Sequence, residues 1–455
     1  MSDAIRPQHR GNALLYNGGV VDPEVLLFSR RRFLQTGSIA ATASVALPTF
    51  AHTREADKAL PPAIAKLTSL RGEARPISVD ERRERQAKAR RLMHENNLSA
   101  ILMTEGTSLT YFSGMRWWGG ERLFAMVLPA KGESLYVCPA FEEGRAREQI
   151  AKSPDGDNAD VRIWQEDENP YERVAQGLSD RGIAGGTVGI EETVKFVFAD
   201  NLRKAAASAT FASATPVTAG CRMFKSPHEI ELMRLASKAT LIAYEATYRS
   251  LKTGMTQQDV EDLVEAAHRQ LGFEGGADVQ VGEFSAFPHG SVTPQVIREG
   301  TIVLIDGGCK VEGYASDITR TFVLGKAADK MKQVFEIVHR AQSAALVAAK
   351  PGGECGSVDA AARKVITDAG YGPDYKYFTH RLGHGMGMDG HEWPYLVCRN
   401  TQKLDPNMTT SNEPGIYIRG EFGIRLEDDM HVTENGAELF TPQSPLLEEP
   451  FGKKN

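Results

Sequence analysis

Five side chains that can bind a metal ion lie in strand-like or glycine-rich frames between residues 301 and 427. They are Asp306 in TIVLIDGG, Asp317 in ASDITRTF, His384 in RLGHGMG, Glu413 in NEPGIY and Glu427 in IRLEDD. The apolar runs predict strands and the glycines predict tight turns. A fold that joins these frames must hold four carboxylates close together, and this requirement constrains the chain more than any other feature.

Four carboxylates in one buried pocket repel one another and lose hydration, at a cost of several kcal/mol each. Two divalent cations would balance the four negative charges, with the histidine neutral. Oxygen ligands with one imidazole favour manganese, cobalt, zinc or iron over metals that prefer thiolate. Each acid alone could be a scattered surface residue, but the five together predict a metal site.

The order Asp, Asp, His, Glu, Glu in these frames resembles the M24 metallopeptidases of pita-bread fold, in the Xaa-Pro branch of prolidase and aminopeptidase P. The resemblance rests on DITRT, GHGMG, HEWP, EPGIY and RLED and spans roughly residues 225–442. Residues 81–224 resemble the N-terminal domain of that branch. The implied fold class is α+β, with a C-terminal pita-bread (creatinase/aminopeptidase-like) domain preceded by an α/β N-terminal domain.

The resemblance implies a role for each of the five residues. Asp317 and Glu427 would bridge two divalent metal ions. Asp306 would hold one ion, and His384 and Glu413 would hold the other. The cofactors implied are two manganese, cobalt or zinc ions per subunit. Two metals about 3.5–4 Å apart can lower the pKa of a shared water towards about 7, which supplies a hydroxide nucleophile.

Further residues are implied to act in catalysis. Glu413 is the family's usual proton shuttle from the water to the leaving proline nitrogen. His289, His380 and His391 match active-site histidines of the family and would stabilise the oxyanion. Arg425 stands where the family has an arginine near the site, and ion pairing with the acidic cluster and substrate contact are both open. No tyrosine closely follows His289, so a phenol is not expected to assist there.

These residues predict a hydrolase that cleaves the peptide bond before proline in di- or short peptides. HEWP resembles prolidases more than aminopeptidase P, which favours Xaa-Pro dipeptides as substrates. Arg399, five residues past Pro394, is the candidate clamp for the free carboxylate, and an exposed, unpaired arginine is the alternative. Aminopeptidase P-like action on longer peptides stays open, as does a metal-dependent lyase. A creatinase-like activity is disfavoured because such members have lost the metal ligands.

Two adjacent tryptophans, Trp117 and Trp118, occur in a glycine-rich stretch of the N-terminal part. One of such a pair must face outward from a strand, and exposed aromatics often mark a binding surface. Packing of the rings on their own domain is equally open. By resemblance, either tryptophan could line the active site of a neighbouring subunit in a homodimer or tetramer.

Residues 1–51 predict a removable export signal. Arg30 and Arg31 lie in SRRRFLQ, which fits the twin-arginine pattern, and an apolar run too short to span a bilayer follows. The mature protein is therefore expected in the periplasm, without stable membrane insertion. A basic, disordered N-terminus is the alternative.

The remaining chain divides into three predicted parts. Residues 52–77 lack periodicity and predict a linker or an arm, residues 78–222 alternate helices with strands as an α/β domain, and residues 223–455 form the catalytic domain. The net charge of −6, without a long basic run in the body, argues against nucleic acid as a partner. Five scattered cysteines without a CxxC pair do not predict a disulfide framework.

Local signals predict individual elements. Ser78 with Glu81 forms a capping box, and Ser226 with Glu229 forms a helix start that has proline at its first position. The apolar pattern also predicts a strand near residues 279–284, ahead of the strand that carries Asp306.

Overall fold

The computed structural model describes residues 59–452, so the predicted export signal and the first part of the predicted linker lie outside the described residues. The described residues from Leu60 onward form one compact unit. Residues 60–76 lie as an arm on the C-terminal half, because Ile64 is fully buried there and Leu70 donates its backbone N–H to Leu271 O. Among the described residues, no helix is long and apolar enough to cross a bilayer.

The N-terminal half alternates helices with the strands of one six-stranded sheet. The short helix α1 Pro62–Ala65 belongs to the arm. The elements of the N-terminal half are α2 Val79–Glu95, β1 Ala100–Met103, α3 Thr107–Ser113, β2 Ala125–Pro129, β3 Leu135–Pro139, α4 Glu143–Ile150, β4 Asp160–Trp164, α5 Pro170–Asp180, β5 Thr187–Ile190, α6 Phe196–Ala205, β6 Thr210–Ser213 and α7 Thr215–Arg222. The strand order is β4-β3-β2-β1-β5-β6, with β1 antiparallel to β2 and parallel to β5. Helices cover both faces, since Ile101 and Leu102 of β1 belong to different core clusters.

The C-terminal half contains antiparallel sheets with long helices packed against them. Its elements are α8 Pro227–Tyr248, α9 Gln257–Leu271, β7 Glu274–Val281, β8 Ile302–Val311, β9 Tyr314–Ala315, β10 Ile318–Val323, α10 Asp329–Ala348, α11 Cys355–Ile366, β11 Gly383–Gly385, β12 Glu392–Leu396, β13 Thr409–Asn412, β14 Gly415–Ile418, β15 Phe422–Arg425, β16 Asp428–Thr433 and β17 Gly436–Leu439. The sheets have the orders β10-β8-β7, β12-β11-β13-β16-β17 and β14-β15. Glu427 N donates to Thr319 O at 3.2 Å, which joins the first two sheets beside the predicted site. The predicted α+β class is confirmed.

Both predicted helix starts are present. The side chains of Ser78 and Ser226 accept hydrogen bonds from the backbone N–H groups of Glu81 and Glu229, and each glutamate accepts the serine N–H in return. These reciprocal bonds satisfy donors that the first helical turn leaves free.

Other elements differ from the prediction. The strand predicted near 279–284 begins earlier, at Glu274, and ends at Val281, because β7 pairs with β8 from Glu274 opposite Lys310 to Val281 opposite Val303. The adjacent glycines Gly275 and Gly276 favour a turn, but pairing with β8 holds their backbone in an extended conformation. Helices α3 and α7 were not predicted because both are short, and packing on the long helix α2 supports them.

Candidate metal centre

Two pairs of bonded strands position the four predicted carboxylate ligands. Asp306 lies in β8 directly opposite Thr319 of β10, and Asp317 immediately precedes β10. Glu413 follows β13 and Glu427 precedes β16, and these two strands pair as neighbours. The pairing of β13 with β16 therefore holds Glu413 and Glu427 at adjoining strand ends, while the pairing of β8 with β10 holds Asp306 in mid-strand close to Asp317.

Ligand atoms of the predicted metal residues lie within 4.8 Å of one another in overlapping groups. One group contains Asp306, Asp317 and Glu427, and another contains His384, Glu413 and Glu427. The structure thus brings all five predicted residues together, with Glu427 common to both groups. Asp317 adjoins the second group as well, since its Oδ2 lies 3.9 Å from His384 Nε2.

His384 is oriented by backbone contacts on β11. Its Nδ1 lies 3.1 Å from Gly385 O, a bond in which the ring must donate, so Nε2 is directed at Glu413 Oε1 at 3.3 Å. Glycines flank the histidine because the neighbouring strands approach closely. A Cβ at Gly383 would lie 2.2 Å from Ser411 O, and a Cβ at Gly385 would lie 2.1 Å from Trp393 O.

The electrostatics of the cluster fit a cation. Burial and repulsion from Asp306 raise the pKa of Asp317 to about 7, and burial with repulsion from Asp317 raises the pKa of Glu427 well above its usual range. Burial also opposes ionisation of Glu413, but the adjacent imidazoles of His384 and His380 hold its pKa at about 2. Excess negative charge on hard oxygen ligands beside one imidazole is the environment that a divalent ion stabilises.

Arg425 and Tyr417 form a buried hydrogen-bonded chain beside the carboxylates. Arg425 Nη2 donates to Asp306 Oδ2, and Arg425 Nη1 donates to Tyr417 OH at 2.9 Å. Tyr417 OH lies 2.7 Å from His380 Nε2. The ion-pairing alternative for Arg425 is thus the contact present in the structure. Sequence reasoning missed Tyr417, because His380 is distant from it in the sequence and Arg425 reaches it only through the folded strands.

The three predicted histidines lie around the cluster. The ring of His391 stacks on that of His384, with centroids 3.6 Å apart and an interplanar angle of 15°. Burial and the nearby His384 lower the pKa of His391 to about 4, so this imidazole is neutral at pH 7. His289 is exposed and follows Pro288, whose carbonyl accepts a bond from Arg425 Nη1 at 3.2 Å.

Comparison with known proteins identifies the family of this site. Residues 85–224 match the Creatinase/Prolidase N-terminal domain, and residues 231–434 match Metallopeptidase family M24. The chain is 34% identical over 354 residues to a putative dipeptidase, YkvY, of Bacillus subtilis, covering 77% of this chain and 95% of that protein. The chain belongs to metallopeptidase family M24.

Two further M24 proteins are similar over almost their whole length. An Xaa-Pro dipeptidase of Lactobacillus delbrueckii subsp. lactis is 33% identical, with 78% of this chain and 96% of that protein covered. The crystal structure of dipeptidase PepE from Mycobacterium ulcerans superposes with a TM-score of 0.77 at 32% identity, covering 82% of this chain and 99% of that one. The predicted family is confirmed, and M24 metallopeptidases use divalent metal ions.

The two tryptophans have different surroundings in this M24 chain. Trp117 is half-buried and stacks on Phe124 with centroids 4.1 Å apart, so it packs on its own domain. Trp118 is 63% exposed, and the Arg145 guanidinium lies 3.1 Å from its ring centroid. Both rings line a cavity of about 890 Å³ whose described lining also includes Lys310 but none of the five predicted metal residues. Their role towards a substrate stays a prediction.

Arg399 makes no described side-chain contact with any of the five predicted metal residues. It is exposed in the turn after β12, with φ of 66°, and its backbone lies against Gly356 in α11. Its role as a carboxylate clamp stays a prediction.

We expect Tyr417→Phe to lower kcat about 10- to 100-fold, because the hydroxyl links Arg425 to His380 and a hydrogen bond to a charged group contributes about 1.5–3 kcal/mol. Steady-state kinetics measure the change. Tyr136→Phe is the control, since this phenol bonds Asp155 in the N-terminal half. Equal kinetics for the Tyr417→Phe variant and the wild type would contradict a role for the phenol.

Proposed function

We propose that the protein is an Xaa-Pro dipeptidase that cleaves the bond preceding proline with a pair of divalent metal ions. The observation that carries the proposal is that two adjoining groups of ligand atoms, one with Asp306 and one with His384, share the Glu427 carboxylate. The names of the similar M24 proteins, a dipeptidase and an Xaa-Pro dipeptidase among them, support the substrate class.

The described side chains fit two ions. Asp306 would hold one ion, His384 and Glu413 would hold the other, and Asp317 and Glu427 would serve both. Manganese, cobalt or zinc suit this mixture of oxygen and imidazole ligands. When bound, the ions supply an activated water and Lewis-acid stabilisation of the developing oxyanion.

The chain's own residues supply proton transfer and orientation. By resemblance to the family, Glu413 would accept a proton from the water. It would then deliver that proton to the proline nitrogen, which leaves as an amine. His391 and His289 would donate hydrogen bonds to the carbonyl oxygen. The Tyr417 phenol donates its hydrogen bond to His380 Nε2 instead.

The activity test compares Ala-Pro and Gly-Pro with Xaa-Pro-Yaa peptides after reconstitution with Mn²⁺, Co²⁺ or Zn²⁺ separately. We expect the dipeptides to be cleaved faster, and metal analysis to give two ions per chain in the active form. Faster cleavage of the tripeptides would instead identify an Xaa-Pro aminopeptidase. Absence of hydrolysis with every metal would overturn the peptidase assignment.

Arg399 gives the specificity prediction. We expect Arg399→Ala to raise KM for Ala-Pro about 10- to 100-fold and to change tripeptide kinetics little, because a desolvated arginine–carboxylate pair contributes about 1.5–3 kcal/mol. Lys403→Ala is the control, since Lys403 is exposed in the same region and pairs with Glu354. An unchanged KM for Ala-Pro would remove Arg399 from the substrate site.

We also propose that the protein assembles as a homodimer or tetramer. The exposed Trp118 supports a contact with a second subunit, since an aromatic ring in contact with water is stabilised by burial at an interface. Light scattering at the assay concentration tests the assembly, and a monomer there would contradict it.

Export through the twin-arginine route is proposed on the sequence of residues 1–51. This route carries folded proteins, so the metal could be acquired before crossing. We expect replacement of Arg30 and Arg31 by lysine to leave active enzyme inside the cell, as measured by fractionation. Export of a chain that lacks residues 1–51 would contradict the proposal.

A further inference from the structure

The segment that carries His391 is held at both ends by charged side chains, of which the one that follows the histidine is buried. Glu392 follows the histidine and is only 3% exposed. Its Oε2 accepts a bond from Arg222 Nη2 at 2.5 Å, and its Oε1 accepts one from Lys225 Nζ at 2.6 Å. Lys225 is itself 3% exposed, so this pairing is shielded from water.

Asp389 anchors the other end of the segment. Arg222 Nη2 also donates to Asp389 Oδ2, and Thr107 Oγ1 donates to Asp389 Oδ1. Two cations therefore face two carboxylates, and we call Arg222, Lys225, Asp389 and Glu392 the connector cluster. Its charges balance, as a buried ionic group requires.

The cations of the connector cluster come from the joint between the two halves of the chain. Arg222 is the last residue of α7, and Lys225 precedes α8 by two positions. Both carboxylates belong to the C-terminal half, on either side of His391. The cluster thus couples the junction of the domains to a histidine at the metal site.

Backbone pairing alone does not fix this segment. The ladder between β11 and β12 changes register between His384 and Gly385, so that Gly385 pairs with Glu392 while His384 pairs with Tyr395. The cluster is also closely fitted, because a Cβ at Gly387 would lie 2.5 Å from Glu392 Oε1. The side-chain charges therefore restrain the segment around His391 at the point where the backbone ladder is interrupted.

We propose that the connector cluster positions His391 against His384, so that packing of the N-terminal half sets the rate of the reaction. Its members are positioning residues, since they act through His391. This proposal rests on the proposed function for the role of His391 towards substrate. The position of the His391 ring can also be measured by a method that does not depend on enzyme activity.

The kinetic test uses Glu392→Gln and the charge-balanced double variant Glu392→Gln/Lys225→Met. The double variant removes one charge of each sign, so it keeps a fold that the single variant could lose. We expect kcat to fall about 10- to 100-fold in either, as for other residues that orient a metal-site histidine. Combining each with His391→Ala should give no greater loss than His391→Ala alone, because residues that act through one group are non-additive.

Glu229→Gln is the matched control. Glu229 forms a buried pair with Arg85, at 3.1 Å, that also joins the two halves of the chain. It shares the burial and the charge of the connector cluster but is not joined to the segment around His391. We expect this variant to lower thermal stability. Any fall in kcat that it causes should multiply with the fall caused by His391→Ala.

The second readout is the ¹⁵N-histidine NMR spectrum of the metal-free protein, with the His391 signal assigned from His391→Ala. We expect the signal to move or broaden in the double variant and to stay unchanged in Glu229→Gln. An unchanged His391 signal, or losses that multiply with His391→Ala, would overturn the proposal. A moved signal in a protein that hydrolyses no Xaa-Pro peptide would support positioning and overturn the proposed function.

Discussion

Asp317→Asn is expected to lower kcat/KM for Ala-Pro about a thousandfold or more, since loss of a shared ligand removes several kcal/mol of charge stabilisation and each 1.36 kcal/mol is tenfold in rate. Asp317 adjoins both groups of ligand atoms. The asparagine of the variant removes the negative charge but keeps the volume of the side chain. Glu427→Gln is expected to lower kcat/KM by a similar factor. Metal analysis should show less than the wild-type content in both variants.

Asp278→Asn is the control for the charge change. Asp278 lies opposite Asp306 in the β7–β8 ladder but is exposed, so its loss is expected to leave the kinetics within about twofold. Full activity of the Asp317→Asn or the Glu427→Gln variant with two ions still bound would refute the ligand assignment.

Arg320→Met is expected to lower the free energy of unfolding by about 3–5 kcal/mol, because it leaves a buried carboxylate without its cationic partner. Arg320 is 1% exposed and pairs with the fully buried Asp428 at 2.7 Å. It also donates to Glu427 O at 2.9 Å, so the same side chain supports the backbone of a predicted metal ligand. The variant should therefore unfold at a lower temperature and bind metal more weakly.

Two controls separate this effect from a general loss of charge. Arg320→Met/Asp428→Leu should recover part of the stability, since both charges are then absent. Glu231→Gln removes the partner of Arg75 in an exposed pair and should cost at most about 1 kcal/mol. An Arg320→Met protein that unfolds at the wild-type temperature would contradict the argument.

Signals that act over a few residues were sufficient for much of the fold. The serine-glutamate capping boxes at Ser78 and Ser226 depend on atoms three residues apart, so sequence spacing alone predicts them. The frames around Asp306, His384 and Glu427 were likewise recognisable, because strand alternation and adjoining glycines are local. The structure brings these residues together as the sequence implied.

Partners that are distant in sequence were decided only by the tertiary structure. Nothing local indicates that Tyr417 would lie between His380 and Arg425, or that Glu392 would be buried against Arg222. The β7 strand began earlier than predicted for the same reason, since pairing with β8 outweighed the turn preference of its glycines. By itself, the sequence determined the family and, through their local frames, the predicted metal-binding residues. Buried charges find their partners only when packing excludes water, and that packing exists only in the folded chain.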